Sequence, residues 1–359
     1  MNRREFAMLG VGALAAAVMP VRSMTAAMAA STPAAGAGAD ALKYVDPALQ
    51  AAARETLKFA PITSIDAKVL KEMRGMSEKF AGARLPDVPV QEQHVPVGGG
   101  APDVTVYVIN ARPGDRRPGI LHTHGGGYIA GSAKWEVPRL QKLAQEMDCI
   151  IVSVDYRLAP ETTYTGSIED NYAGLKWMYN RAAQIGLDTT RIALMGESAG
   201  GGHAARLAIT ARDRAEVPVA AQILIYPMLD DRTGSTVKMP GRIGTLGWNA
   251  EANVFGWRSF LGMAPGGAGV PSAGVPARVR NLAGLPPAFI GVGGIDLFVS
   301  EDVDYARRLN EVGVPTELLV VPGAYHGFDI IAADTTPAQR FTKAKLNALR
   351  RAFGQKVEL

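Results

Sequence analysis

The chain has 359 residues, 47% of them hydrophobic and 20% charged, the composition of an ordinary globular protein with length for one large domain or two small ones. Its formal net charge is +4, and Arg3, Arg4 and Arg22 against Glu5 account for half of it; the remainder is too small to argue for a nucleic-acid partner or a polybasic membrane patch. The single cysteine, Cys149, excludes an intrachain disulfide, and its place in the apolar run "CIIVSV" predicts a buried, inert thiol.

Arg3-Arg4, the apolar run Phe6 to Val18 and the small residues Ala27 to Ala29 predict an export segment over residues 1–29 of the twin-arginine type, and hence a periplasmic or secreted chain. An ordinary secretory signal and an uncleaved anchor are the alternatives. The run is shorter than the ~20 residues of a spanning helix, so no stable membrane anchor is expected once the segment is removed. Residues 30–45, rich in alanine and glycine, read as a flexible linker, and residues 46–90 as N-terminal cap helices. The catalytic domain is then 91–359. Apolar, β-branched runs begin at Val104, Gly119, Cys149, Arg191, Ala220, Pro287 and Thr316, and alternate with helical segments near 134–147, 167–185, 199–213, 301–312 and 337–352. Near-continuous apolar strands alternating with helices predict an α/β protein, a mostly parallel sheet with helices on both faces. Residues 228–285 hold no strand pattern. An insertion there, at the carboxyl edge of a parallel sheet, would lie over the ligand crevice as a lid.

The chemistry begins at "GESAGG", Gly196 to Gly201, which follows a strand and opens a helix. A G-x-S-x-G in that context is a nucleophile elbow with Ser198 at its tip. A serine needs a base, and the base a carboxylate. Asp296 follows one later strand and His326 the next, and of the five histidines (His94, His122, His124, His203 and His326) only His326 lies after Asp296. Asp296 also suits a helix N-cap, and His326 a loop histidine satisfied by backbone; the order Ser, Asp, His favours the catalytic reading. The glycine run after His124 lets main-chain N–H groups approach a developing oxyanion, together with the N–H of Ala199. A phosphate loop does not fit: no Lys-Ser or Lys-Thr follows, and "GGGYIAG" is not G-x-G-x-x-G. A metal site on His122 and His124 lacks a nearby third ligand. No residue implies a metal or organic cofactor.

"HGGGY" (124–128), "DYRLAPE" (155–161), "GESAGG" (196–201), "GGID" (293–296) and "YHGF" (325–328), in this order and spacing, resemble the hormone-sensitive lipase family of α/β-hydrolases over about residues 90–350. The resemblance implies an α/β-hydrolase fold with an eight-stranded sheet and a helical cap built from the N-terminal helices and residues 228–285. It implies Ser198 as nucleophile, Asp296 as acid and His326 as base, with Gly126, Gly127 and Ala199 donating to the oxyanion. His124 would shape the glycine loop, and "DYRLAPE" would hold it from beneath. Bacterial members are carboxylesterases, so the expected activity is hydrolysis of small, short-acyl esters through an acyl-enzyme, with a small-molecule ester as partner. An amidase, lactonase or peptidase on the same triad is the alternative, and after it a non-catalytic binding relative, although such relatives lose the histidine. The sequence is compatible with a homodimer. Three departures stand out: Glu197 where the family usually has Asp, His203 where Asn is common, and "GIDLFVSE" in place of Asp-Pro-Leu-x-Asp-Glu, so that Asp296 and Glu301 match but the middle does not.

Overall fold

The computed structural model describes residues 41–58, 65–79 and 81–358. The expected export segment 1–29 lies outside them, as do residues 30–40 of the linker. Eight strands form one sheet: β1 (Val90–Val95), β2 (Val104–Ile109), β3 (Arg117–Thr123), β4 (Ile150–Asp155), β5 (Leu187–Glu197), β6 (Ala221–Ile225), β7 (Ala288–Gly293) and β8 (Thr316–Val321). Their spatial order is β1-β2-β4-β3-β5-β6-β7-β8. β1 and β4 flank β2 antiparallel, and every other pairing is parallel. The helices are α1 (Gln50–Thr56), α2 (Ala67–Lys79), α3 (Ala133–Glu146), α4 (Tyr164–Asn180), α5 (Ala182–Ile185), α6 (Ala199–Arg214), α7 (Ala250–Leu261), α8 (Val299–Glu311), α9 (Phe328–Ile331) and α10 (Thr336–Ala352). None of the described helices is long and apolar enough to cross a membrane.

Alternate residues along the central strands divide into two cores, as a period of two requires. Ile120, Ile151, Met195, Ile223 and Phe289 pack with Leu140 of α3 and Phe341 of α10. Their neighbours Leu121, Val152, Leu194, Leu224 and Ile290 pack with Leu175 of α4, Leu207 of α6 and Leu309 of α8. Each such side chain removed from water contributes about 1.5–3 kcal/mol. Both faces being covered explains why β2 to β7 read as continuous apolar runs, whereas β8, at the far edge, reads as one although its Leu318 and Val320 are exposed. The remaining strand, β1, is an edge strand whose Gln91, Glu92 and His94 are exposed, so no such run marks it.

A third cluster lies over the carboxyl ends of the strands. It joins Trp248, Trp257 and Phe260 of the segment between β6 and β7 to Ile65 and Leu70 near α2, and to Tyr128, Met228 and Phe298. The other N-terminal helix goes elsewhere: Val45, Leu49 and Ala53 pack in the core shared by α3 and α10, and the Asp46 N–H donates to Gly323 O at 3.0 Å. The end of the expected linker, Ala41 and Val45, is buried too.

Candidate active site

The strand order reverses between β3 and β5, because β4 lies on one side of β3 and β5 on the other. In an open α/β sheet that is where the carboxyl ends leave a crevice. The register pairs Thr123 with Gly196, so the glycine loop after β3 emerges beside the turn after β5.

Ser198 makes that turn with φ 58° and ψ −123°, a conformation that is strained for any residue but glycine. Three hydrogen bonds hold it. Its N–H donates to Ile225 O at 2.9 Å, and its carbonyl accepts from Gly202 N and Met228 N, both at 3.0 Å. α6 starts at the next residue, so the Ala199 N–H is among the donors that a helix N-terminus leaves without intrahelical partners.

The Ser198 hydroxyl donates to His326 Nε2 at 3.0 Å. His326 Nδ1–H donates to Asp296 Oδ2 at 2.9 Å, and the Phe298 N–H to Asp296 Oδ1 at 3.0 Å. A carboxylate only accepts, so the Nδ1 proton belongs to His326 and its Nε2 is left to receive the serine proton. Asp296 is fully buried. The imidazole is held between Tyr226 and Phe298, with ring centroids 4.7 and 5.3 Å away.

Gly126 and Gly127 have φ of 124° and 62°. A Cβ on Gly126 would strike Ala130 O, and one on Gly127 would strike the Trp248 indole, so neither position accepts a side chain. Gly126 O accepts from Ile129 N and Ala130 N at 3.1 and 2.9 Å, which fixes the loop. No hydrogen bond from the N–H of Gly126, Gly127 or Ala199 is found among the described residues.

The remaining buried histidines have other tasks. His124 donates from Nδ1 to Gly125 O at 2.8 Å and stacks on Tyr156 at 4.1 Å, whose hydroxyl donates to His124 O at 2.7 Å. His203 lies against Tyr128, Tyr156 and Phe260. Burial lowers both, His203 to about 3, so neither is a charged group near the site at neutral pH. His122 donates from Nε2 to Glu197 Oε2 at 3.0 Å, with Nδ1 2.9 Å from Ser153 Oγ.

Four further residues shape the site, and of these only Asp155 lies in a block whose role the family likeness implied. Glu197 sits under the elbow and also accepts from Arg139 at 2.9 Å. Burial would raise its carboxyl, but Arg139 and His122 outweigh that and hold it well below the usual range. Trp248 lies on Gly127, and its indole N–H donates to Asn253 Oδ1 at 3.1 Å. Arg74 on α2 donates to Ile129 O at 2.7 Å and Ala159 O at 3.0 Å, and forks onto Glu161 at 2.8 Å. Within "DYRLAPE", Asp155 Oδ1 accepts from Ala133 N at 2.7 Å, at the start of α3.

Residues 120–330 match the family described as alpha/beta hydrolase fold. The chain is 35% identical over 240 residues to esterase LipI of Mycobacterium tuberculosis (strain ATCC 25618 / H37Rv), covering 65% of this chain and 72% of the relative. It is 34% identical over 279 residues to carboxylesterase NlhH of the same strain, covering 75% and 84%. Among solved structures, a bacterial heroin esterase superposes with a TM-score of 0.78 at 33% identity, covering 87% of this chain and 99% of that one.

Proposed function

Since this chain belongs to the alpha/beta hydrolase fold family, we propose that it is a serine carboxylesterase that cleaves small, short-acyl esters through an acyl-enzyme. The observation that carries this reading is the unbroken hydrogen-bond chain from Ser198 through His326 to Asp296. The Ser198 oxygen attacks the ester carbonyl while its proton passes to His326 Nε2. Asp296 stabilises the imidazolium that forms. The carbonyl oxygen, now negative, accepts from the N–H groups of Gly126, Gly127 and Ala199; one such donor is worth about 3 kcal/mol. His326 then returns the proton to the departing alcohol. Water attacks the acyl-serine by the same route and the acid leaves. No step calls on a cofactor.

The cluster of Trp248, Trp257, Phe260, Ile65 and Leu70 acts as the lid over this crevice, with Trp248 limiting the room beside the oxyanion donors. Residues 1–29 direct export to the periplasm or beyond, which Arg3→Lys/Arg4→Lys should block in a bacterial fractionation assay. A homodimer would show as twice the chain mass in light scattering.

The test of the activity is hydrolysis of p-nitrophenyl esters from acetate to octanoate. Turnover should be highest on the short esters, and Ser198→Ala should lower kcat by about 10⁴-fold or more. Turnover that survives in Ser198→Ala, or an enzyme that cleaves only the long esters, would overturn the reading.

A further inference from the structure

A second cavity, of about 360 Å³, opens between α4, α6 and the segment joining β6 to β7. That volume suits a small organic molecule. Neither Ser198 nor His326 lines it. Arg206, which does, lies eight residues along α6 from Ser198, about 12 Å at the helical rise.

The other arginines around it are engaged. Arg212 donates to Asn281 O and Ala283 O at 2.8 and 3.0 Å and pairs with Asp213. Arg214 forks onto Glu169. Arg308 donates to Ala277 O and Val279 O. Arg206 alone among them has a fully buried Nε–H with no acceptor, and among the described residues its guanidinium forms no ion pair. Burial lowers its affinity for its own proton, the sign of a cation short of compensation. The Tyr305 hydroxyl, which its charge reaches, is likewise buried without a partner. The Nε–H is closed to solvent, but the two terminal nitrogens are not among the buried atoms and make no hydrogen bond among the described residues, and that end of a guanidinium is shaped for a carboxylate.

We propose that this cavity binds a small organic monocarboxylate, its carboxylate on the Arg206 guanidinium and its apolar body against Tyr164, Ile168 and Ala273. The walls decide between anions. Glu169 and Asp213 also line the cavity. Each is paired, with Arg214 and Arg212, so one negative charge is tolerated while a second, as on phosphate, is repelled. The apolar lining favours a ligand with a hydrocarbon or aromatic part. Acids of this class are also what ester hydrolysis releases, but the proposal stands without that activity.

Isothermal titration of the full chain with sodium benzoate tests it, with inorganic phosphate as the rival anion. Benzoate should bind in the millimolar range. Arg206→Gln should weaken it about tenfold or more, and Ala273→Phe, which fills the cavity without touching the guanidinium, should do the same. Both variants should keep kcat/KM for p-nitrophenyl butyrate within about twofold, since neither residue touches the triad. Absence of benzoate binding in the wild type, an unchanged Kd in Arg206→Gln, or phosphate binding as tightly as benzoate would overturn the proposal. These outcomes read binding and leave the esterase reading to its own test.

Discussion

Glu197 places a buried carboxylate one residue from Ser198, the proposed nucleophile. The site tolerates it because Arg139 and His122 neutralise and hydrogen-bond it. A broken buried pair costs more than an absent one, since the survivor keeps its desolvation penalty. Arg139→Met should therefore destabilise by about 2–4 kcal/mol, a figure reduced because the Arg139 side chain is still 31% exposed. Glu197→Gln combined with Arg139→Met should recover about 1 kcal/mol or more of that loss. Urea unfolding of the four proteins measures this, and strictly additive losses would contradict it. A motif reading makes Ser198, Asp296 and His326 legible because each sits at a strand end with a sequence-local signature. The partners of Glu197 are not legible, because Arg139 is 58 residues away and the pair exists only after α3 packs on the sheet.

At the scale of elements, α2 is held by the packing of Leu70 and by one polar clamp, Arg74. Arg74 ties it to Ile129 beside the glycine loop and to Ala159 and Glu161 in the "DYRLAPE" segment. The Arg74 hydrogen bond holds the Glu161 carboxyl down at about 2. That pair contributes stability above the ordinary carboxyl range and loses it only as pH falls towards 2. Arg74→Ala should free α2, seen as loss of amide exchange protection over Ala67–Lys79 with the sheet still protected. Unchanged protection of α2 would refute the clamp. Arg74→Lys should restore little, since a lysine cannot fork onto Glu161 and reach two carbonyls together. None of this shows in the sequence: the contact spans 87 residues. The six inner strands and the apolar edge strand β8 were legible from apolar runs alone, whereas β1, polar and at the other edge, was implied only by family likeness. The N-terminal helices read as one cap unit, yet among the described residues only the segment with Ile65 and Leu70 packs over the strand ends, while Leu49 and Ala53 join the core by α10. Helical periodicity shows that a face is apolar and leaves open which partner covers it.

For the molecule as a whole, carboxyls next to the triad acid set how stability varies with pH. Asp302 is fully buried with neither oxygen hydrogen-bonded. Burial, then Glu301 and Asp296, raise it well above its ordinary value. The folded chain thus keeps a proton that the unfolded chain releases above about pH 4, and stability falls as pH rises from there towards the raised folded value. Asp302→Asn should therefore be more stable than wild type at pH 7. The gain should shrink by up to about 1.4 kcal/mol per pH unit on acidification and vanish near pH 4. Urea midpoints from pH 4 to 8 measure it, and a gain that does not change with pH would contradict the assignment. Acyl-enzyme chemistry requires one covalent bond to the Ser198 oxygen, and whole-protein mass spectrometry detects such a bond. After treatment with diethyl p-nitrophenyl phosphate, the chain should carry one diethylphosphoryl group, located on the peptide containing Ser198, with activity lost in proportion and no adduct on Ser198→Ala. Full activity without an adduct, or an adduct on another residue that tracks the loss, would contradict it.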